Sequence, residues 1–367
     1  MFVRELTLQR FRLFKDERIG LCGGLNYFYG KNAQGKTSLL EALCLISTGK
    51  SFVSHLSREM ISFGEDHFFL RARIERSRGA LDIRFGQDKH QKMVSVNGEP
   101  LKSLSMLLGK LDTVLFIPSD FDLVAAPPEI KRRYLDIQLS QASAEYLEAL
   151  KIYNRVLKQR NVLLKQSFSD RKELKTWTEQ LVSSGALLTD LRKKAVERIE
   201  KYCIHFLEGI SGARERLQIH YHSFLQEEIS GSPEEYFLER LRKVHEQEKR
   251  LGYTLLGPHR DDLEFRLNGF DASRYASRGQ LKSIAIALKF SESANLKKLK
   301  GYWPVLLIDD IFSELDEERQ KAVFSFLEKE QQVILSSNLL PSRFPFISPG
   351  ACFEVVEGVM HPENSHG

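Results

Sequence analysis

The segment Gly30-Lys31-Asn32-Ala33-Gln34-Gly35-Lys36-Thr37 constrains this chain more than any other feature. It matches G-x-x-x-x-G-K-[ST] at every fixed position. A β-rich run, Leu25-Asn26-Tyr27-Phe28-Tyr29, precedes it, and Ser38-Leu39-Leu40-Glu41-Ala42-Leu43 reads as the helix that follows. Glycines let such a loop curl so that successive backbone N–H groups face an anion, and the helix N-terminus adds positive potential. Lys36 is the side chain to reach β- and γ-phosphates, and the Thr37 hydroxyl is the one to ligate Mg2+. Gly30 to Ser38 is the expected cradle for the phosphates of ATP.

A second feature suits the same chemistry. Val305-Leu306-Leu307-Ile308-Asp309-Asp310 is an apolar run ending in two carboxylates. A carboxylate at the C-terminal end of a buried parallel strand sits where open α/β sheets bind ligands. Asp309 is the expected Mg2+-side carboxylate, and Asp310 is placed to orient or polarise an attacking water. Taken alone, the pattern also fits a strand that meets solvent and turns polar. Ile311-Phe312-Ser313-Glu314-Leu315-Asp316 follows, where Ser313 or Asp316 fits as the cap of the next helix.

The rest of the chain reads as three stretches. The N-terminal third is β-heavy, with strands expected at 2–8, 68–74, 81–85, 93–96 and 114–117, and a type I′ turn at Asn97-Gly98. From Pro128 to Gln180 apolar residues recur at helical spacing, and further helices are expected over 181–209 and 234–249. The last third alternates apolar runs (305–308, 333–337) with helices (279–299, 317–330), the pattern of a parallel sheet. The expectation is an α/β protein with residues 1–117 and 253–367 in one lobe and 118–252 in a mainly helical lobe. His361 to Gly367 reads as a polar, frayed tail.

Composition narrows the class. The 367 residues are 42% hydrophobic and 28% charged, an ordinary globular balance with a net charge of +5. That permits nucleic-acid binding without implying it. Four scattered cysteines without a C-x-x-C pair fit reduced thiols. With no bilayer-length apolar run and no signal-peptide pattern, a cytoplasmic protein is expected, with no membrane partner.

Tyr275-Ala276-Ser277-Arg278-Gly279-Gln280-Leu281-Lys282 precedes a strong helix pattern, and Ser277 suits an N-cap. The segment resembles the ABC signature L-S-G-G-Q at Ser277, Gly279 and Gln280, with Ala276 and Arg278 departing from it. Ser313-Glu314-Leu315-Asp316 similarly resembles that superfamily's D-loop. A closer resemblance, to the RecF family of ABC/SMC-type ATPases, runs over nearly the whole chain. It is carried by Leu8 to Arg12, Gly30 to Leu43, Pro118-Ser119-Asp120, Pro128 to Asp136, Leu157 to Asn161, Gly257-Pro258-His259-Arg260-Asp261-Asp262-Leu263, Arg278 and Asp310. The 240 positions between Thr37 and Ser277 are long for a transporter ATPase and far too short for an SMC arm.

That resemblance implies an ABC-type head, with a parallel phosphate-loop core plus an antiparallel β-subdomain, and a helical second lobe. It implies a weak, DNA-stimulated ATPase that dimerises on ATP at gapped or duplex DNA. Ser277, Gly279 and Gln280 of one copy close over ATP held by the other. It implies work with RecR and RecO in loading RecA, and a nucleotide contact from Arg12. Another SMC-like DNA ATPase and a transporter-type subunit are the alternatives.

Residues 131–175 carry 11 Lys or Arg against 5 Asp or Glu, a net of +6. Arg155, Lys158 and Arg160 lie on one expected helix and fit either DNA backbone contacts or a solvated face. His259 and Arg260 fit a structural role or an approach to the nucleotide. His220 and His222 alternate on a strand-like run and lack a third metal ligand.

Overall fold

The computed structural model describes residues 1–54, 56–77, 79–166, 171–225 and 231–363. The chain opens on β1 (Phe2–Phe11), β2 (Phe14–Gly20) and β3 (Leu25–Tyr29), which runs into α1 (Lys36–Thr48). The strands β4 (His67–Glu75), β5 (Leu81–Asp88), β6 (Lys92–Val96) and β7 (Glu99–Pro100) form a meander, and β8 (Thr113–Phe116) follows. Next come α2 (Pro128–Ala142), α3 (Ala144–Leu164), α4 (Arg171–Ser211), β9 (Leu217–His222) and α5 (Pro233–Leu251). Then β10 (Asp262–Leu267), β11 (Phe270–Asp271) and α6 (Ala272–Tyr275) lead to α7 (Arg278–Lys300). The last elements are β12 (Val305–Asp309), α8 (Glu317–Ser325), β13 (Val333–Ser337) and the hairpin β14 (Ala351–Val356) and β15 (Val359–Pro362).

Contacts divide the chain into two units, 1–121 with 286–367, and 122–285. The first holds two sheets. One is antiparallel, in the order β2-β1-β4-β5-β6-β7. The other has the order β15-β14-β3-β13-β12-β8, parallel except for β15. Strands β12 and β13 are buried at every residue, their apolar runs Val305–Ile308 and Val333–Leu335 ending in Asp309 and in Ser336 and Ser337. Helix α1 touches β4 as well as β12 and β13, so it is buried nearly all round. Its Leu39, Leu40, Leu43 and Ile46 join residues of both sheets in one core.

The second unit wraps α2 to α5 and a three-stranded sheet, β11-β10-β9. The chain returns to the first unit at Ile286, inside α7, and not at residue 253. The reason is β10, which pairs along its whole length with β9 and so holds 262–267 in the helical unit.

The helical stretch also divides differently from the expectation. No break occurs at Gln180; α4 is one helix of 41 residues. One break falls at Ser143, whose hydroxyl accepts the Tyr146 N–H and starts α3, and a second follows Leu164, where α3 ends. Helix α8 stops at Ser325, short of residue 330. Phe324 stacks on Phe312, and Phe326 packs edge-on against Phe290. His361 and Pro362 belong to β15 rather than to a tail, and 364–367 lie outside the described residues.

Candidate functional site

The phosphate loop leaves the C-terminal end of β3, the strand between β14 and β13. Its two fixed glycines have backbones closed to other residues. Gly30 has φ 150°, and a Cβ there would lie 2.5 Å from the Val355 carbonyl oxygen. Gly35 has φ 112° and caps α1 in the left-handed region. Lys36, the first residue of α1, is buried, and its Nζ donates to the carbonyls of Gly30 and Lys31, each at 2.7 Å. Burial pulls its pKa below the usual lysine value, against the attraction of Asp310 and Asp309. The ammonium is thus held over the loop with carbonyl partners that an anion can replace.

Asp309 ends β12, and Thr37 Oγ1 donates to its Oδ1 at 3.1 Å. Ser336, at the end of the neighbouring β13, donates to the same oxygen at 2.5 Å. The sheet order thus puts the Thr37 hydroxyl beside the carboxylate expected to share Mg2+ with it. Asp310 turns away from the strand with φ 45°, a left-handed conformation that Asp tolerates better than most residues. The Asn338 N–H donates to its Oδ1 at 3.2 Å. Burial raises its pKa above the usual carboxylate value, partly offset by that bond and by Lys36. Leu13, Asn32, Ala33, Gly35, Lys36, Thr37, Ser38 and Asp310 line one cavity of about 330 Å³.

The donor set fits a polyphosphate with a hard cation. Glycine N–H groups and one ammonium meet an anion, and a hydroxyl with a carboxylate suits Mg2+. The site joins residues 36, 37, 309 and 310 as the sequence suggests. Gln34 is held from a direction the sequence did not reveal. Its side-chain oxygen accepts the Glu357 N–H at 2.6 Å, and its carbonyl accepts the Gly358 N–H at 3.0 Å. The signal available was Glu357-Gly358 between two apolar runs, a hairpin turn lacking the usual Asn.

Arg12 has another partner. Its guanidinium grips the buried Glu41 of α1 with two bonds of 2.8 Å, and its Nη1 donates to the Glu59 carbonyl at 2.5 Å. Arg12, on the turn between β1 and β2, thus clasps that turn to α1.

At the start of α7, Ser277 Oγ accepts the Gln280 N–H at 3.2 Å, and Gln280 Oε1 accepts the Ser277 N–H at 2.8 Å. This is a capping box, with Ser277 exposed at the helix tip and Gly279 half-buried beside it. Asp316, not Ser313, caps α8, accepting the Arg319 N–H at 2.9 Å. Ser313 instead donates to the Asp310 carbonyl at 3.0 Å.

The helical unit corrects one assignment. Arg155 and Lys158 are exposed on α3, but Arg160 is 1% exposed and faces inward. Its guanidinium meets Glu248 and Thr254 Oγ1 at 2.6 and 2.7 Å, and cannot reach DNA from there. A hollow of about 410 Å³ lies along α3, lined by Asn154, Leu157, Lys158, Asn161, Val162 and Lys165, without a set of groups for chemistry.

His259 is structural as well. Its Nε2 lies 3.1 Å from the Thr254 carbonyl, and its Nδ1 lies 2.6 Å from the Tyr153 hydroxyl. Burial lowers its pKa to about 4. Arg260 stacks over the Tyr253 ring at 5.3 Å. Asp261 and Asp262 meet α2: Arg132 donates to the Asp261 carbonyl at 2.6 Å, and Lys131 pairs with Asp262 at 3.0 Å. His222 bonds Glu264 at 2.6 Å, and no cluster of metal-ligating residues occurs among the described residues.

Three comparisons bear on the geometry. Residues 2–339 match the model of the RecF/RecN/SMC N-terminal domain. The chain is 38% identical over 340 residues to the DNA replication and repair protein RecF of Thermoanaerobacter sp. (strain X514), covering 91% of this chain and 93% of the relative. It is 34% identical over 373 residues to the RecF of Cyanothece sp., covering 99% of each. A solved structure of the recombination mediator protein RecF with ATP, in the RecFOR pathway, superposes with a TM-score of 0.91 at 32% identity, over 99% of this chain and 98% of that one. An Smc head bound to the winged-helix domain of ScpA superposes at 0.60 with 15% identity, over 99% and 97%, and shares the fold.

Proposed function

Because this chain belongs to the RecF family of ABC/SMC-type ATPases, we propose that it is an ATP-dependent DNA-binding protein of replication and recombinational repair. Gly30 to Ser38 bind the triphosphate, Lys36 stabilises the charge of the β- and γ-phosphates, and Thr37 and Asp309 hold Mg2+. Asp310 orients the attacking water. Its side chain is shorter than Glu, so positioning is looser and turnover is slow, suited to a timed switch that DNA stimulates. Ser277, Gly279 and Gln280 of a second copy close on the γ-phosphate, so two chains pair while ATP is intact and part after hydrolysis. The pair acts in the cytoplasm at gapped DNA, with RecR and RecO, and helps load RecA. Among the described residues, no helix is long and apolar enough to cross a membrane.

One observation carries this reading: a lysine ammonium, a threonine hydroxyl and two carboxylates converge on a glycine loop at the C-terminal edge of a parallel sheet. The test is light scattering of the wild type and Lys36→Ala, with and without ATP and gapped DNA. The wild type is expected to double in mass with ATP, and Lys36→Ala to remain at the mass of one chain. Equal dimerisation without nucleotide sinks the reading.

A further inference from the structure

The tip of the β14–β15 hairpin is wedged behind the phosphate loop. The turn residues Glu357 and Gly358 have φ 49° and 79°, both left-handed, as a two-residue type I′ turn requires. Their N–H groups leave the turn side by side and both end on Gln34, one on its side chain and one on its carbonyl. Gly358 is buried, and a Cβ on it would lie 2.5 Å from the Leu13 carbonyl oxygen. A Cβ on Gly35 would lie 3.7 Å from Gly358 Cα. Leu13 and Gly35 both line the nucleotide cavity. The hairpin tip therefore backs two of its walls, the loop apex and the β1–β2 turn.

The bond to the Gln34 carbonyl has a geometric consequence. No cis peptide bond occurs in the described chain, so the Gln34 C=O and the Gly35 N–H belong to one trans plane and point in opposite directions. Anchoring the oxygen on Gly358 turns the Gly35 N–H away from the hairpin. Glycine at position 35 has a freer backbone than its neighbours Gln34 and Lys36, so without an external anchor this peptide plane is able to flip. The Gln34 side-chain bond to Glu357 fixes the residue a second time. Neither bond touches the ligand.

We propose that the β14–β15 hairpin tip is a positioning clamp for nucleotide binding: Gly358 and Glu357, through Gln34, hold the Gly35 peptide with its N–H toward the phosphates. The inference rests on Gly30 to Ser38 being the triphosphate site. Gln34 and Gly358 are thus positioning residues, and their effect follows the phosphates rather than the base or sugar.

The test compares ATP with inorganic tripolyphosphate, by calorimetry, on the full chain. Gln34→Met keeps side-chain volume and the backbone bond but removes the acceptor for Glu357. Gly358→Ala adds the Cβ that meets Leu13. Each is expected to weaken both ligands by the same factor, about tenfold for the loss of one fixing hydrogen bond, with the nucleotide-free Tm of Gln34→Met unchanged. Gln34→Met carries the test if Gly358→Ala does not fold. Unchanged affinity in a folded Gln34→Met, or weakening of ATP alone, overturns the clamp. Lys36→Ala separates the layers: if it binds tripolyphosphate as the wild type does, the phosphate-site reading fails first, and if only Lys36→Ala is impaired, the clamp fails alone.

Discussion

His259 and Asp261 show how the helical unit spends its ionisable residues. Burial lowers the pKa of His259 to about 4 and raises that of Asp261 to about 6. Asp261 is buried although Tyr221 and Arg192 approach it, so the loss of hydration outweighs both. The two shifts act oppositely on stability. The Asp261 contribution is complete below the unfolded carboxylate pKa and is lost as pH rises through 6. The His259 contribution is complete above the unfolded imidazole pKa, near 6.5, and is lost as pH falls through 4. Each is on the order of 3 kcal/mol, so between pH 4 and 6 they nearly cancel. His259→Gln removes the rising half of that balance. Urea unfolding across pH is expected to show the variant losing stability relative to the wild type as pH goes from 4 to 6.5. Parallel curves for the two proteins rule out the buried neutral histidine.

At the scale of the element, α3 separates charge that binds from charge that supports. Its outer side presents Arg155 and Lys158 to solvent, while Tyr153, Val156 and Arg160 turn inward. An exposed pair is available to phosphates, whereas the Arg160–Glu248 pair is sealed from water. Reversing Arg155 and Lys158 together is expected to leave Tm unchanged, weaken duplex and gapped DNA alike, and lower the salt slope by about 2. Removing the Arg160 guanidinium leaves Glu248 buried without its charge partner and is expected to cost about 3 to 5 kcal/mol in urea unfolding. Full DNA affinity in the double reversal denies α3 a part in binding. The contrast also shows what the sequence made legible. The net charge of 131–175 and the helical spacing were visible, but Arg160 was indistinguishable from its neighbours because its partners, Glu248 and Thr254, lie far along the chain. Local chemistry read best: the phosphate loop, the buried strands β12 and β13, the signature cap and the Asn97-Gly98 turn each carry their cause in adjacent residues. The Glu357-Gly358 turn did not, since glutamate seldom enters the left-handed region and only tertiary packing holds it there. The boundary between α2 and α3 at Ser143 was likewise set by a cap, not by periodicity.

For the whole molecule, the groups expected to meet one nucleotide are divided between two units of the chain. The loop and the acidic strand end lie in the unit formed by 1–121 and 286–367, and Ser277 lies in 122–285. If the two halves of a site come from different copies, damage to each can be complemented. Lys36→Ala removes the ammonium from one half. Ser277→Asp spoils the other while preserving the fold, because aspartate caps a helix as well as serine does but sets a negative charge against the γ-phosphate. Each variant alone builds two damaged sites and is expected to stay at the mass of one chain with ATP. In a mixture, the Ser277→Asp copy supplies an intact loop and the Lys36→Ala copy an intact helix tip. The mixed pair therefore has one complete site and one doubly damaged site. Light scattering of the equimolar mixture with ATP is expected to recover a dimer that neither parent forms, at less than the wild-type population because only unlike chains can pair. A site completed within a single copy allows no such recovery, so a mixture that remains monomeric places the two halves in the same chain and removes the nucleotide from the interface.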